Sequence, residues 1–189
     1  MMAIKIKQEH YSGERPDIYS GHRDPRFVTI QRGGTLDDAH HQKLAAWAAD
    51  CAGHVLGYFT TQHPGDDRPR QAIDLARLWS RNQISMTQAR QAAYAAHQAA
   101  KMASGAGREA ARAAGHAAAT AHMADHELGA AAYAIRAARA AAPPDGRDQA
   151  GRMECRWQRV HLPESIRDLV ISDEERRNRK FWSLFDCCE

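Results

Sequence analysis

The chain has 189 residues, 43% of them apolar, and a formal net charge of +3. This length suits one domain with a single sizeable core rather than two ordinary domains. No run of about eighteen apolar residues occurs, and the N-terminus lacks the continuous apolar segment of a secretory signal, so we expect no membrane span and a cytoplasmic protein.

The first part of the chain predicts an arm, a short strand and a long helix. Residues 1–26 mix glycine, proline and charges, which predicts a flexible N-terminal arm ahead of a single helical domain over 27–189. The stretch "RFVTIQRGG" predicts one short strand. Thr35 then precedes the first-turn carboxylate of Asp38, so we expect a helix from Leu36 to about Tyr58, which the loop "HPGDDRP" ends.

Four more helices are predicted before residue 142. One spans about 68–82, and the next begins with the capping-box pair Ser85 and Gln88 and ends at the glycines of "SGAG". An unbroken helix over 108–142 would be about 50 Å long, whereas a compact chain of this size has a radius of gyration of about 16 Å. We therefore expect a break at "MADHELG", where Asp125 caps the following helix.

The last part of the chain predicts three further helices. A Pro/Gly loop at 142–147 precedes a helix over about 147–161, Pro163 opens a short one, and Ser172 caps the last. Half of the residues from Ala89 to Ala142 are alanine, which lets helix axes approach closely. The sequence thus predicts an all-α, alanine-rich bundle of seven to eight helices, whose alanine face forms either internal core or the seam of a homo-oligomer.

Histidines suggest a site within the alanine-rich segment. His122 and His126 are four residues apart, which would put both imidazoles on one helical face and permit a shared metal ion. The expected break weakens that pairing. On a regular helix, the side chain of His116 would point about 120° away from that of His122. We assign no metal site and no cofactor, and expect these histidines to pack between helices, with His122 facing a pocket.

Two other groups of polar residues are candidates for binding. Asp50 and His54 stand four residues apart, so the carboxylate could orient the imidazole, or both could form an ordinary solvated pair. In "DDRPRQAID", the guanidinium groups of Arg68 and Arg70 could grip a carboxylate or phosphate, while Asp67 could either take part or only cap the helix.

Signatures of common enzymes and of nucleic-acid readers are absent from the sequence. There is no Walker A loop, no dinucleotide-binding glycine motif, no nucleophile elbow and no zinc-finger spacing. The nearest basic and aromatic stretch, "RRNRKFW", follows acidic residues, and its aromatics resemble core. Nucleic-acid association through arginine faces is therefore the least favoured functional hypothesis.

The order of several sequence blocks resembles the Imm-5-like family of bacterial immunity proteins. The blocks are "DPRFVTIQRGGTLDDAHHQKLAAWAADCAGHVL", "DDRPRQAIDLARLW", "AAYAAHQAA" and "AAGHAAATAHMADHELGAAAYAIRAA". The resemblance implies an all-helical protein that neutralises a cognate toxin, and it supplies no established catalytic residues. The matching positions are Trp47, Asp50, Cys51, His54, Asp67, Arg68, Pro69, Arg70, His97, His122 and His126.

Two other functional hypotheses follow, and the first of them is favoured. In one, the chain is an immunity or self-protection protein that binds a toxin protein or a small toxic ligand through Arg68, Arg70 and the preceding loop. In the other, it is an enzyme or small-molecule-binding protein with a pocket between alanine-rich helices. That pocket would gather Asp50, His54, His97 and His122 from different helices.

Overall fold

The computed structural model describes residues 23–186, which form eight α-helices. The expected all-α bundle is confirmed. No helix in this part of the chain is both long and apolar enough to cross a membrane. Most of the expected N-terminal arm lies outside the described residues. The helices are α1 (Asp38–Val55), α2 (Gly57–Gln62), α3 (Arg68–Trp79), α4 (Met86–Met102), α5 (Gly105–Ala119), α6 (Glu127–Ala141), α7 (Arg147–Val160) and α8 (Glu164–Arg177).

The predicted strand in "RFVTIQRGG" is wrong. Within residues 23–186 that stretch forms two 3-10 turns, Pro25–Phe27 and Ile30–Arg32, and shares only an isolated bridge between Thr29 and Leu36. The turns bury Phe27 against the helices. A single paired residue cannot extend into a sheet because no second strand lies beside it in the described chain.

The expected helix starts are partly correct. The capping box at α4 is confirmed, since Ser85 Oγ accepts a hydrogen bond from Gln88 N and Gln88 Oε1 accepts one from Ser85 N. α1 is capped by Asp37, whose carboxylate accepts a 2.8 Å hydrogen bond from His40 N, rather than by Thr35. Aspartate is an equally good N-cap, so sequence preference alone did not separate the two.

The expected break inside the alanine-rich segment is confirmed, but its cap is not Asp125. α5 ends at Ala119 and α6 begins at Glu127, with a 3-10 turn, Ala124–His126, between them. His126 occupies the N-cap position of α6 and makes no side-chain capping hydrogen bond. The break turns the chain so that α6 packs back against α5.

The predicted separate helix capped by Ser172 is also wrong, because α8 continues through that residue. Ser172 Oγ donates a 2.9 Å hydrogen bond to the Leu169 carbonyl, which satisfies the hydroxyl within the helix. A serine can bond to the preceding turn in this way as readily as it can cap a new helix.

Helix α5 lies at the centre of the bundle. Eleven of its fifteen residues are buried, and it packs against α1, α3, α4 and α6. Alanine and glycine make up nearly all of that surface, so neighbouring helices can come close, as the alanine content predicts. The larger core residues lie mainly on the helices around α5, among them Trp47, Phe59, Leu128 and Ile135.

A buried ion-pair network fixes α8 against the start of α6. Arg177 pairs with the buried carboxylates of Glu127 and Asp173, and donates a 2.8 Å hydrogen bond to the Asp125 carbonyl. Burial raises the pKa of Glu127 well above its usual value, although Arg177 opposes that rise. The network therefore holds α8 beside the turn that carries His126.

Candidate functional site

Four histidines from α4, α5 and the connection between α5 and α6 form a continuous cluster, here called the histidine cluster: His97, His116, His122 and His126. The ring centroids of His97 and His116 are 5.2 Å apart, those of His116 and His126 5.3 Å, and those of His122 and His126 5.4 Å. The Nδ1 atoms of His116 and His126 are 3.3 Å apart. The expectation that His116 would not share a site with the other histidines is wrong, because the chain reverses after α5 and brings His126 back beside His116.

Two glycines make this close packing of rings possible. A Cβ at Gly115 would lie 2.5 Å from His97 Cε1, and a Cβ at Gly129 would lie 2.5 Å from His116 Nδ1. Real Cβ atoms essentially never approach another heavy atom so closely. Each imidazole thus occupies space on a neighbouring helix that only a glycine leaves open.

Burial keeps the histidine cluster uncharged. Loss of hydration lowers the pKa of all four imidazoles, that of His126 to about 4 and that of His116 well below its usual value. At neutral pH, one Nδ1 of the His116–His126 pair therefore donates and the other accepts. Within residues 23–186, no three His, Cys, Asp or Glu side chains are arranged to hold a metal ion.

A cavity of about 290 Å³, here called the histidine pocket, opens beside the cluster. His116 and His126 form one side, and Tyr133, Phe181 and Trp182 provide aromatic walls. The Tyr133 ring stacks on His116 at 5.1 Å with an interplanar angle of 20°. The pocket therefore combines aromatic walls with two neutral imidazoles and with the charged side chains of Asp125, Arg177 and Lys180.

His122 faces a different cavity, and His97 lines neither. The cavity at His122 has a volume of about 190 Å³ and is shared with Phe27, His41 and Trp79. His122 Nδ1 is buried there without a hydrogen-bond partner among the described residues. His122 and His126 thus touch each other but open onto separate cavities.

A larger depression, here called the arginine groove, is lined by Arg108, Arg136, Arg139, Arg147 and Trp182. Its volume is about 570 Å³. Its floor includes the buried Glu109, whose carboxylate lies 3.1 Å from Arg108 Nε and 2.9 Å from Arg136 Nε. Glu109 fixes two of the guanidinium groups in place while the groove stays cationic.

Trp182 lines both the arginine groove and the histidine pocket. Arg136 Cζ lies 4.1 Å from its ring centroid, and 51% of the residue remains exposed. Trp182 and Ser183 have φ angles of 60° and 53°, a left-handed conformation that costs on the order of 1–3 kcal/mol at each non-glycine residue. The Asn178 side chain supports this turn by accepting a 3.0 Å hydrogen bond from Phe185 N.

Asp50 and His54 have different partners, so the suggested hydrogen bond between them does not form. Asp50 Oδ1 lies 3.0 Å from Arg77 Nη2. His54 Nδ1 lies 2.6 Å from Glu154 Oε2, and its ring stacks on Trp157 at 3.8 Å. Neither residue lines the histidine pocket.

The loop before α3 neutralises much of its own charge. Arg68 binds Asp66 through two hydrogen bonds, of 2.8 Å from Nε and 2.5 Å from Nη2. Arg70 Nε lies 3.9 Å from Asp67 Oδ1 at the surface, and Asp67 makes no side-chain cap. The Arg68 guanidinium is therefore already occupied by a carboxylate.

Comparison with known protein families identifies the family of this chain. The model of the family described as "Imm-5 like putative immunity protein" matches residues 34–165. The chain belongs to this family. That membership supports an immunity role for this Imm-5-like protein and confirms the resemblance seen in its sequence. No curated protein and no solved structure matches it.

The arginine groove of this Imm-5-like protein was not predicted from the sequence. Its residues come from α5, α6, α7 and the C-terminal turn, and only packing brings them together. One signal was available, since Glu109 is the only acidic residue between Asp74 and Asp125. A lone acid in an alanine helix implies a buried basic partner, because an unpaired buried charge is costly.

Proposed function

We propose that this Imm-5-like protein protects its cell by binding a toxin protein stoichiometrically at the arginine groove. The observation that carries the proposal is the groove itself, in which four guanidinium groups and a half-exposed tryptophan share one depression. Arginine and tryptophan are enriched at protein interfaces and among the residues that contribute most binding energy.

The charge of the groove specifies an acidic partner surface. Four guanidinium groups are opposed by two carboxylates, Glu109 beneath them and Asp148, whose Oδ1 lies 2.7 Å from Arg139 Nη2. Arg147 is exposed, and no carboxylate of residues 23–186 forms a salt bridge with it. Its planar guanidinium is thus available for a two-point contact with a carboxylate of the toxin.

The arginine groove is better suited to binding a toxin than the surface expected from the sequence, which consists of Arg68, Arg70 and the preceding loop. Arg68 would have to leave Asp66 before it could bind a partner, whereas Arg147 has no such competitor within the described chain. Binding of a toxin at the arginine groove also requires no catalytic turnover. Asp50, His54, His97 and His122 each contact different groups, so an enzyme built on those four would need another arrangement.

The test is to co-express the chain with a toxin encoded beside its gene. We expect the wild-type chain to restore growth and to copurify with the toxin at equal stoichiometry. Arg147→Glu should abolish rescue, while Arg81→Glu, a reversal at an exposed arginine that does not line the groove, should retain it. Failure of the wild-type chain to copurify with the toxin, or equal rescue by both variants, would contradict the proposal.

A further inference from the structure

We infer that the histidine pocket is the anchor site for an aromatic side chain of the same partner, a tyrosine or tryptophan next to the acidic residues that occupy the arginine groove. The inference rests on the proposed function, and it names the recognition element of the partner. It starts from Trp182, the residue that both depressions share.

The two depressions are close enough for one short segment to occupy both. Arg136 Cζ, on the groove side, is 5.5 Å from the centroid of Tyr133, on the pocket side. Tyr133 and Trp182 have centroids 5.7 Å apart. These distances show that the two depressions adjoin at Arg136 and Trp182. An extended chain advances about 3.3–3.6 Å per residue, so we place the acidic residue about two positions from the aromatic residue.

The walls of the histidine pocket favour an aromatic ring. Tyr133, Phe181 and Trp182 line the pocket, and aromatic rings attract one another beyond the effect of simple burial. The volume of about 290 Å³ lies at the lower end of the range for small-molecule sites and is large enough for one side chain. Aromatic anchors in pockets are a common source of interface affinity.

The imidazoles favour an aromatic residue that carries a hydrogen-bonding group. The His116–His126 contact uses one ring nitrogen of each residue, so each keeps a second nitrogen for another partner. A tyrosine hydroxyl can donate or accept there, and an indole N–H can donate. Both imidazoles are neutral at pH 7, because burial lowers their pKa, so they impose no charge on that group.

Charged side chains also line the histidine pocket. Arg177 lines the pocket and is held by Glu127 and Asp173, so its position is fixed by the network that anchors α8. Lys180 also lines it. Asp125 is the carboxylate on the wall, and Arg23 Nη2 lies 3.5 Å from its Oδ1. The lining of the pocket therefore carries charges of both signs.

The test measures binding of four synthetic nine-residue peptides to the intact chain by calorimetry. The first carries one tyrosine two positions from a pair of glutamates on a glycine and serine background. In the second alanine replaces the tyrosine, in the third glutamines replace the glutamates, and the fourth carries both changes. We expect the first peptide to bind at least about tenfold more tightly than the second or the third peptide.

Two protein variants separate the contributions. Arg147→Glu should remove the advantage of glutamate over glutamine and keep that of tyrosine over alanine, whereas Trp182→Ala should reduce both. Tyrosine and alanine peptides of equal affinity, or no binding by any peptide, would overturn the inference. Because the comparison between peptides uses the wild-type chain, it does not depend on how the variants fold, and toxin copurification still decides the proposed function separately.

Discussion

Gly129 lies against the ring of His116, and replacing it by alanine tests the packing of the histidine cluster directly. The added Cβ would lie 2.5 Å from Nδ1, 2.9 Å from Cγ and 3.0 Å from Cε1 of that ring. The ring cannot easily move, because Tyr133 stacks on it, His126 contacts its Nδ1 and His97 packs against it. We therefore expect Gly129→Ala to destabilise the fold.

The magnitude follows from two opposing effects. Overpacking a close-packed interior costs about 1–3 kcal/mol, whereas exchanging a helical glycine for alanine stabilises a helix by up to about 1 kcal/mol. A distance of 2.5 Å is a severe overlap, so we take the upper half of the overpacking range, and the net loss should be about 1–2 kcal/mol in the free energy of unfolding. For a domain of this size, that lowers Tm by about 2–8 °C.

The assay is urea unfolding followed by circular dichroism, with Gly57→Ala as the matched control. Gly57 also lies in a helix, but a Cβ there meets nothing within 4 Å, so that variant should be as stable as the wild type or slightly more stable. In a His116→Ala background, Gly129→Ala should lose its cost, since the clashing ring is gone. A Gly129→Ala protein as stable as the Gly57→Ala protein would refute the reasoning.

Three further predictions concern the buried network, the imidazoles and a helix cap. Arg177→Met should cost about 3 kcal/mol or more in urea unfolding, because Glu127 and Asp173 would lose a buried partner. The NMR titration of His126 should have its midpoint near pH 4. Because folding lowers the pKa of His126, the stability it contributes is present above about pH 6.5 and is lost as the pH falls toward 4. Ser85→Ala should cost about 1 kcal/mol in thermal unfolding through loss of the α4 capping box.

Matched controls define the outcomes that contradict these three predictions. Arg81→Met, at an exposed arginine, should change stability by less than about 0.5 kcal/mol, and an Arg177→Met effect no larger than that would refute the role of the network. Thr87→Ala lies in the first turn of α4 and is exposed, so it should cost less than Ser85→Ala. An NMR titration that places the His126 pKa near 6.5 would mean that its ring is solvated.

The sequence predicts those parts of the fold that depend on local chemistry. The Ser85–Gln88 capping box, the Pro/Gly loop at 142–147 and the break after α5 involve neighbouring residues and chain stiffness, and the structure has them. The expectation at Ser172 failed because its hydroxyl has two local ways to be satisfied, and only the packing of α8 selects between them.

The candidate site was predicted less completely, because it depends on contacts between distant segments. His122 and His126 were selected for their spacing, yet the contacts of His126 with His116 require the chain reversal between α5 and α6. The space for the rings comes from Gly115 and Gly129, which carry no signal of their own. Helical spacing describes one helix, whereas both the pocket and the groove form between several.

The most direct measurement of the central claim is the affinity of the purified toxin for three forms of the chain, determined by calorimetry at low and moderate salt. Binding at the arginine groove predicts that Arg147→Glu weakens the wild-type affinity about tenfold or more, that Arg70→Glu leaves it nearly unchanged, and that added salt weakens wild-type binding. If Arg70→Glu abolishes binding while Arg147→Glu does not, the loop before α3 is the contact surface and the assignment to the groove is wrong.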